Sequence, residues 1–212
     1  MLTLDDDTSL PDVESFSKLV RVMEENPEIG AAGGNNLVPE DAAPFVKRAM
    51  KEIPRRSWAM VDEITESDLA EHPCLIMRAA EFKAIGGENE LIPRGLDPYM
   101  RRELRKAGKR VVVVPEVVYH HLPPSRLRLL VKQFYRNGRD AAFVNCHYPE
   151  WVIETPAAHG EFKEKVAPTY RIGRFGLRLV CALASGRLIL LSSEICYALG
   201  YLSFRAKHKA PA

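Results

Sequence analysis

The sequence predicts an α/β protein: a mixed sheet flanked by helices and followed by an apolar helical tail. Three observations predict it. Short apolar runs at residues 2–4, 73–78 and 110–114, bounded by acidic, glycine or proline residues, read as strands. Between them lie stretches with apolar residues on one helical face, such as Val13, Phe16, Leu19, Val20 and Met23. Residues 175–204 form the most apolar stretch, interrupted by Arg178, Arg187 and Glu194. With 212 residues, 46% of them hydrophobic and 27% charged, the chain can bury one sizeable core, and disorder is expected only at its ends.

Leu2-Thr3-Leu4 leads into Asp5-Asp6-Asp7-Thr8-Ser9. An apolar strand ending in Asp-x-Asp delivers carboxylates to a sheet's carboxyl edge, where oxygen ligands hold a hard cation such as Mg²⁺ or Mn²⁺ and the cation can grip a diphosphate. The competing reading is a solvated acidic turn capping the next helix. A turn at 9–12 opens a helix that ends before Pro27 and covers the sheet. Residues 28–34 read as a strand entering a glycine turn at Gly33-Gly34, which is not a Gly-x-Gly-x-x-Gly fingerprint and receives no nucleotide role. A loop or short helix follows near 43–50, an ambiguous strand at 57–64 and a buried strand at 73–78.

A short helix at 79–85 stops at Gly86-Gly87, which suits a cap needing positive φ. Asp97 stands at the N-cap of a helix that has Pro98 at its first position and Gly108 at its close, an arrangement that is structural in most proteins. Strands at 110–114 and 117–119 run into His120-His121, and Ser125 is expected to cap a long helix through about residue 144 that carries Gln133, Arg136 and Arg139. Adjacent histidines after a strand are more often hydrogen-bonded than ligating, so their value rests on a nearby metal.

Residues 148–173 read as a linker with one short element at most. Within 175–204 no eighteen-residue run is free of charge, so a simple spanning helix is not established. Arg187 and Glu194 would share a helical face, as in an interfacial amphipathic hairpin, a helix packed on other membrane segments, or a docked soluble pair. The formal net charge of +2 hides an asymmetry, because from Arg171 onward Glu194 is the sole acid among seven Lys and Arg residues. Such a basic, apolar tail points to anionic lipid and not to nucleic acid, whose aromatic-and-basic interleaving is missing. Cys74, Cys146, Cys181 and Cys196 form no Cys-x-x-Cys pair and read as free thiols in a reducing compartment. With three acids within seven residues of Met1, the amino terminus carries no secretory pattern and no export is implied.

Taken together, Leu4-Asp5-Asp6-Asp7-Thr8, Ile85-Gly86-Gly87, the run from Arg94-Gly95-Leu96-Asp97-Pro98 to Gly108, and Tyr119-His120-His121 resemble a family 2 glycosyltransferase of the GT-A fold. Order and spacing carry the resemblance over residues 1 to about 145. It implies a partial GT-A, Rossmann-like catalytic domain at 1–147, a linker at 148–173 and a membrane-associated tail at 174–212. The implied reaction is inverting transfer of a sugar from a nucleotide-diphosphate donor to a lipid or glycan acceptor at the cytoplasmic face of a membrane.

By the same resemblance Asp7 is the direct ligand of a divalent Mg²⁺ or Mn²⁺, and Asp5 lies nearer the ribose or the metal's water shell. His120 or His121 completes the metal site, with His120 preferred because it more directly follows the strand. Asp97 is the base that takes the acceptor hydroxyl's proton. Gln133-Phe134-Tyr135-Arg136-Asn137 is similar to the Gln-x-x-Arg-Trp motif of processive members, which implies contacts from Gln133 and Arg136 to the donor diphosphate. Two departures stand out: Leu96-Asp97 where Glu-Asp is common, and Asn137 in place of tryptophan, which disfavours processive synthesis. Family members carry about a hundred residues before the Asp-x-Asp, so a longer reading frame or a partner chain is expected to supply the nucleotide-base half. The alternatives are a non-catalytic membrane-associated scaffold, or a haloacid-dehalogenase-like phosphatase with Asp5 as nucleophile.

Overall fold

The computed structural model describes residues 1–53, 60–93, 96–152 and 167–208. Its centre is the pair β3 (Ile29–Asn36) and β6 (Arg110–His121), which run parallel. On the other side of β3 lies β5 (Leu75–Met77), antiparallel to it, and beyond that β1 (Leu2–Thr3), antiparallel to β5. β2 (Thr8–Ser9) and β4 (Thr65–Glu66) pair antiparallel with β6. The six-stranded sheet is therefore mixed, and β1, β3 and β6 share a direction, so their carboxyl ends meet at one edge.

Strand alternation sorts the core. Val112 and Val114 face α1 (Ser15–Glu25), joining Leu19 and Met23, whereas Val111 and Val113 face α4 (Leu96–Lys106), joining Met100 and Leu104. Each such side chain, when fully buried, contributes about 1.5–3 kcal/mol before conformational entropy is subtracted. All eight residues of β3 are buried, which explains its Gly-Ala-rich composition. The sequence reading put Gly33-Gly34 in a turn; both lie inside β3. A Cβ at Gly33 would stand 2.9 Å from the Ala70 backbone, and one at Gly34 would stand 2.9 Å from the Val117 carbonyl. Close packing, and not a turn, selects glycine there.

α3 (Ala79–Ala84) ends at Gly86 (φ +86°) and α4 ends at Gly108 (φ +75°), as the glycine signals predict. α4 begins at Leu96 and thus includes Asp97 in its first turn. Residues 73–78 divide into a single 3₁₀ turn (His72–Cys74) and β5, and burial pushes the Cys74 thiol up to about 11. The ambiguous strand at 57–64 falls partly outside the described residues, and β4 follows it.

α2 (Pro44–Glu52), α5 (Leu127–His147) and α7 (Leu188–Lys207) form a second core around Ala49, Leu130 and Ile189. Ser125 does not cap α5, whose N-cap is Arg126 and which has no side-chain capping bond. α6 (Pro168–Ala184) and α7 make a hairpin turned at Gly186. Arg187 lies in that turn as the N-cap of α7, so Glu194 pairs with Arg178 of α6 (2.5 Å) instead of sharing a helix with Arg187. Glu52 ties the hairpin down: one carboxylate oxygen accepts from the Ile189 and Leu190 amides (2.7 and 3.2 Å), the other from Arg48 (2.6 Å). By length and composition α7 is apolar enough to cross a membrane.

Candidate metal centre

Between β1 and β2 the chain crosses the carboxyl edge of the sheet, and Asp5, Asp6 and Asp7 occupy the crossing. The Thr8 amide donates to the Asp5 carbonyl (3.1 Å), closing a four-residue turn. β1 is anchored on one side by the Met1 amino group, which donates to the Met77 carbonyl (2.7 Å), and by the Thr3 hydroxyl on the His72 carbonyl (2.8 Å). On the other side Thr8 and Ser9 stand opposite His121 and His120. The acidic turn is thus held across the edge by ladders at both ends.

His121 comes to this turn because β6 carries a large bulge. Between the pairs Gly33–Val113 and Asn35–Val118, β3 advances two residues while β6 advances five. Glu116, in that extra length, has φ +59°. Asn35, fully buried, holds the bulge: its amide nitrogen donates to the Val114 and Val117 carbonyls (2.9 and 3.0 Å). Its neighbour Asn36 mimics a strand, donating to the His121 carbonyl (3.1 Å) and accepting from the His121 amide (3.0 Å). These two asparagines are positioning residues that the sequence reading passed over. The signal for them is a pair of buried amides ending an apolar strand, where each polar group demands a partner.

The resulting arrangement brings Asp5, Asp7 and His121 together, with ligand atoms that all lie within 4.8 Å of one another. His121 Nε2 is 3.2 Å from Asp7 Oδ1. The Asp7 side chain is 63% exposed and that of His121 18%, so the site opens to solvent on its carboxylate side. The preferred histidine, His120, is elsewhere. Strand alternation turns it to the opposite face, where its Nδ1–H donates to the Leu37 carbonyl (2.7 Å). The donor set, two carboxylates and one imidazole, fits a divalent cation, and the imidazole shifts that fit from Mg²⁺ toward Mn²⁺.

The remaining candidates lie apart from this cluster in the chain. Asp97 is in the first turn of α4, and its side chain is outside the described residues. On α5, Arg136 is exposed, whereas Gln133 faces a cavity of about 80 Å³ shared with Met50, Pro123 and Asn137. Pro123 follows His121 by two residues, so this cavity starts beside the end of β6.

No protein-family model matches the chain, and neither does any curated protein. In fold it is similar to a solved structure, the mannosyltransferase PcManGT from Pyrobaculum calidifontis in complex with GDP-Man and Mn²⁺, with a TM-score of 0.52 and 13% identity. The match covers 95% of this chain and 61% of that one. The chain therefore spans less than two thirds of the length of this neighbour, and shares with it a mixed sheet flanked by helices.

Proposed function

We propose that this chain carries the metal-binding and acceptor-activating part of an inverting glycosyltransferase that moves a sugar from a nucleotide-diphosphate donor to a lipid or glycan acceptor. The observation that carries the reading is the Asp5–Asp7–His121 cluster at the carboxyl edge of a sheet whose fold resembles that of a mannosyltransferase holding GDP-Man and Mn²⁺. Asp5, Asp7 and His121 are the residues that would hold Mn²⁺ or Mg²⁺. When bound, such a cation supplies a Lewis acid that neutralises charge developing on a departing diphosphate. Asn36 would keep the His121 backbone, and with it the imidazole, in register with the two carboxylates.

In this reading Asp97 is the general base for the acceptor hydroxyl, at the start of a helix where backbone amides can fix a carboxylate. Gln133 and Arg136 supply diphosphate contacts from α5, with Arg136 as the positive charge. The nucleotide base would be bound by residues outside these motifs. The reaction belongs at the cytoplasmic face of a membrane, which the apolar, basic tail favours.

Turnover of sugar nucleotides with Mn²⁺, measured on the full chain, tests this. Asp97→Asn and Asp7→Ala should each abolish transfer, by at least about a hundredfold for a lost general base. Full activity in both variants would refute the assignment. A scaffold without catalysis would turn over no sugar nucleotide with or without Mn²⁺, and phosphate-monoester hydrolysis trapped on Asp5 would instead favour the phosphatase.

A further inference from the structure

The exposed apolar side chains of the α6–α7 hairpin are ordered, not scattered. On α7, Leu188, Ile195, Leu199 and Leu202 are 56%, 43%, 54% and 62% exposed, and their steps of seven, four and three put them in one stripe. The opposite side of α7 carries Ser193 and Gly200 and is buried against α5. On α6, Leu177 and Val180 are each 65% exposed, while Ala182 on the inner side is 1% exposed. Apolar faces of this extent mark interaction surfaces.

Charge identifies what covers this one. Glu194, the sole acid from Arg171 onward, is neutralised by Arg178 and nearly buried. Arg174, Arg187, Arg205 and Lys207 are exposed around the stripes. An apolar strip rimmed by cations complements anionic headgroups above acyl chains.

The way α7 packs argues against a spanning orientation. A Cβ added at Gly138 of α5 would stand 1.9 Å from the Tyr197 carbonyl, and one at Gly200 of α7 would stand 2.0 Å from the Tyr135 carbonyl. The two helices are therefore in backbone contact. Along its exposed side α5 carries Arg128, Lys132, Arg136 and Arg139, at steps of four, four and three, and none of them has an ion-pair partner among the described residues. A bilayer that enclosed α7 would enclose these cations too.

We propose that the α6–α7 hairpin docks the protein on an anionic bilayer as a monotopic unit, with the Leu188–Ile195–Leu199–Leu202 stripe at the headgroup–acyl boundary and both ends of α7 on the same side. This rests on the membrane part of the function proposed above and not on its chemistry. Mn²⁺ binding and sugar transfer are measured in solution, so either reading can fail while the other stands.

The test uses the full chain with unilamellar vesicles. Flotation is expected with vesicles of phosphatidylcholine and phosphatidylglycerol, and at least about tenfold less with phosphatidylcholine alone or at high salt. Ile195→Asp combined with Leu199→Asp should abolish flotation while circular dichroism stays unchanged. For topology, Arg187→Cys and Lys207→Cys are compared in a background with Cys146, Cys181 and Cys196 changed to serine. A membrane-impermeant maleimide added outside the vesicles should label both. Labelling at only one end until detergent is added would show a spanning helix and overturn the proposal. Failure to float, flotation that survives the double aspartate change, or a concentration-dependent dimer that covers the stripe would overturn it too.

Discussion

The carboxyl edge of the sheet and the crossing of α5 with α7 are built to opposite specifications. At the edge, the acidic turn hangs between two strands of two residues each, with Asp6 and Asp7 exposed and Asp5 half-buried. At the crossing, two long helices meet backbone to backbone with no room for a methyl group at either glycine. The edge keeps ligand atoms accessible at the cost of few contacts, as a binding site requires. The crossing has a single solution and fixes where the tail lies. Stability and the proposed function thus rest on different layers, and substitutions should separate them.

The largest effect is expected at the crossing. Gly138→Ala or Gly200→Ala forces a methyl group into a backbone carbonyl, which cannot rotate away as a flexible side chain could. Each should cost about 3 kcal/mol or more, as severe overpacking does, measured by urea denaturation. A loss below about 0.5 kcal/mol would mean that the helices are not in contact there.

Next comes Glu52, which links the two layers. Burial works against its charged form, but the Arg48 guanidinium and the Ile189 and Leu190 amides outweigh it, holding the carboxyl below its ordinary value of 4.5. Glu52→Gln should destabilise the protein by about 2 kcal/mol, since it weakens charge-assisted bonds at the start of α7. The sign with pH follows from the depressed value. This contribution is fully present above pH 4.5 and is lost as pH falls through the folded-state value. The stability gap between wild type and Glu52→Gln should therefore close on acidification, and a gap that widens would contradict the assignment.

How much of this was legible in the sequence differs between the layers in the same way. The strands and glycine-terminated helices of the sheet layer could be read because Val111–Val114 and Gly108 obey local rules of period and φ. The acidic turn could be read as a candidate site only through the motifs that follow it, because three consecutive acids alone suit a solvated cap equally well. What could not be read was register. The bulge at 114–117 depends on Asn35, seventy-nine residues from the Val114 carbonyl it binds, and no local pattern counts those extra residues. The α5–α7 crossing was hidden for a similar reason: Gly138 and Gly200 look like weak points in their helices until the other helix is in place. The tail could be read as apolar, with a hairpin among its readings, but its ion pair could not, because Glu194 finds its partner Arg178 across the Gly186 turn.

A smaller effect, on the metal centre and not on stability, is expected at the edge. Asp7→Ala should weaken Mn²⁺ binding by at least about tenfold, or about 1.4 kcal/mol, measured by calorimetry. Its effect on stability should stay within about 0.5 kcal/mol because the side chain is 63% exposed. An equal loss of stability would turn the acidic turn back into a structural cap.

The smallest effect, that of His120→Ala set against His121→Ala, sharpens the comparison most. His120 and His121 are adjacent, identical in chemistry and both partly buried, so only strand alternation distinguishes them. His121→Ala removes the imidazole beside Asp7 and should lower Mn²⁺ affinity about as much as Asp7→Ala does. His120→Ala removes one hydrogen bond to the Leu37 carbonyl, worth about 1 kcal/mol of stability, and should leave Mn²⁺ affinity within about twofold of wild type. If the two variants exchanged these results, β6 would be shifted by one residue at its end, and the hold of Asn36 on His121 would have to be wrong as well. The pair therefore tests the bulge and the metal centre together, with Asn36→Ala as the arbiter. By loosening the His121 backbone, that change should reduce Mn²⁺ affinity in the His120→Ala background and have no further effect on it in the His121→Ala background.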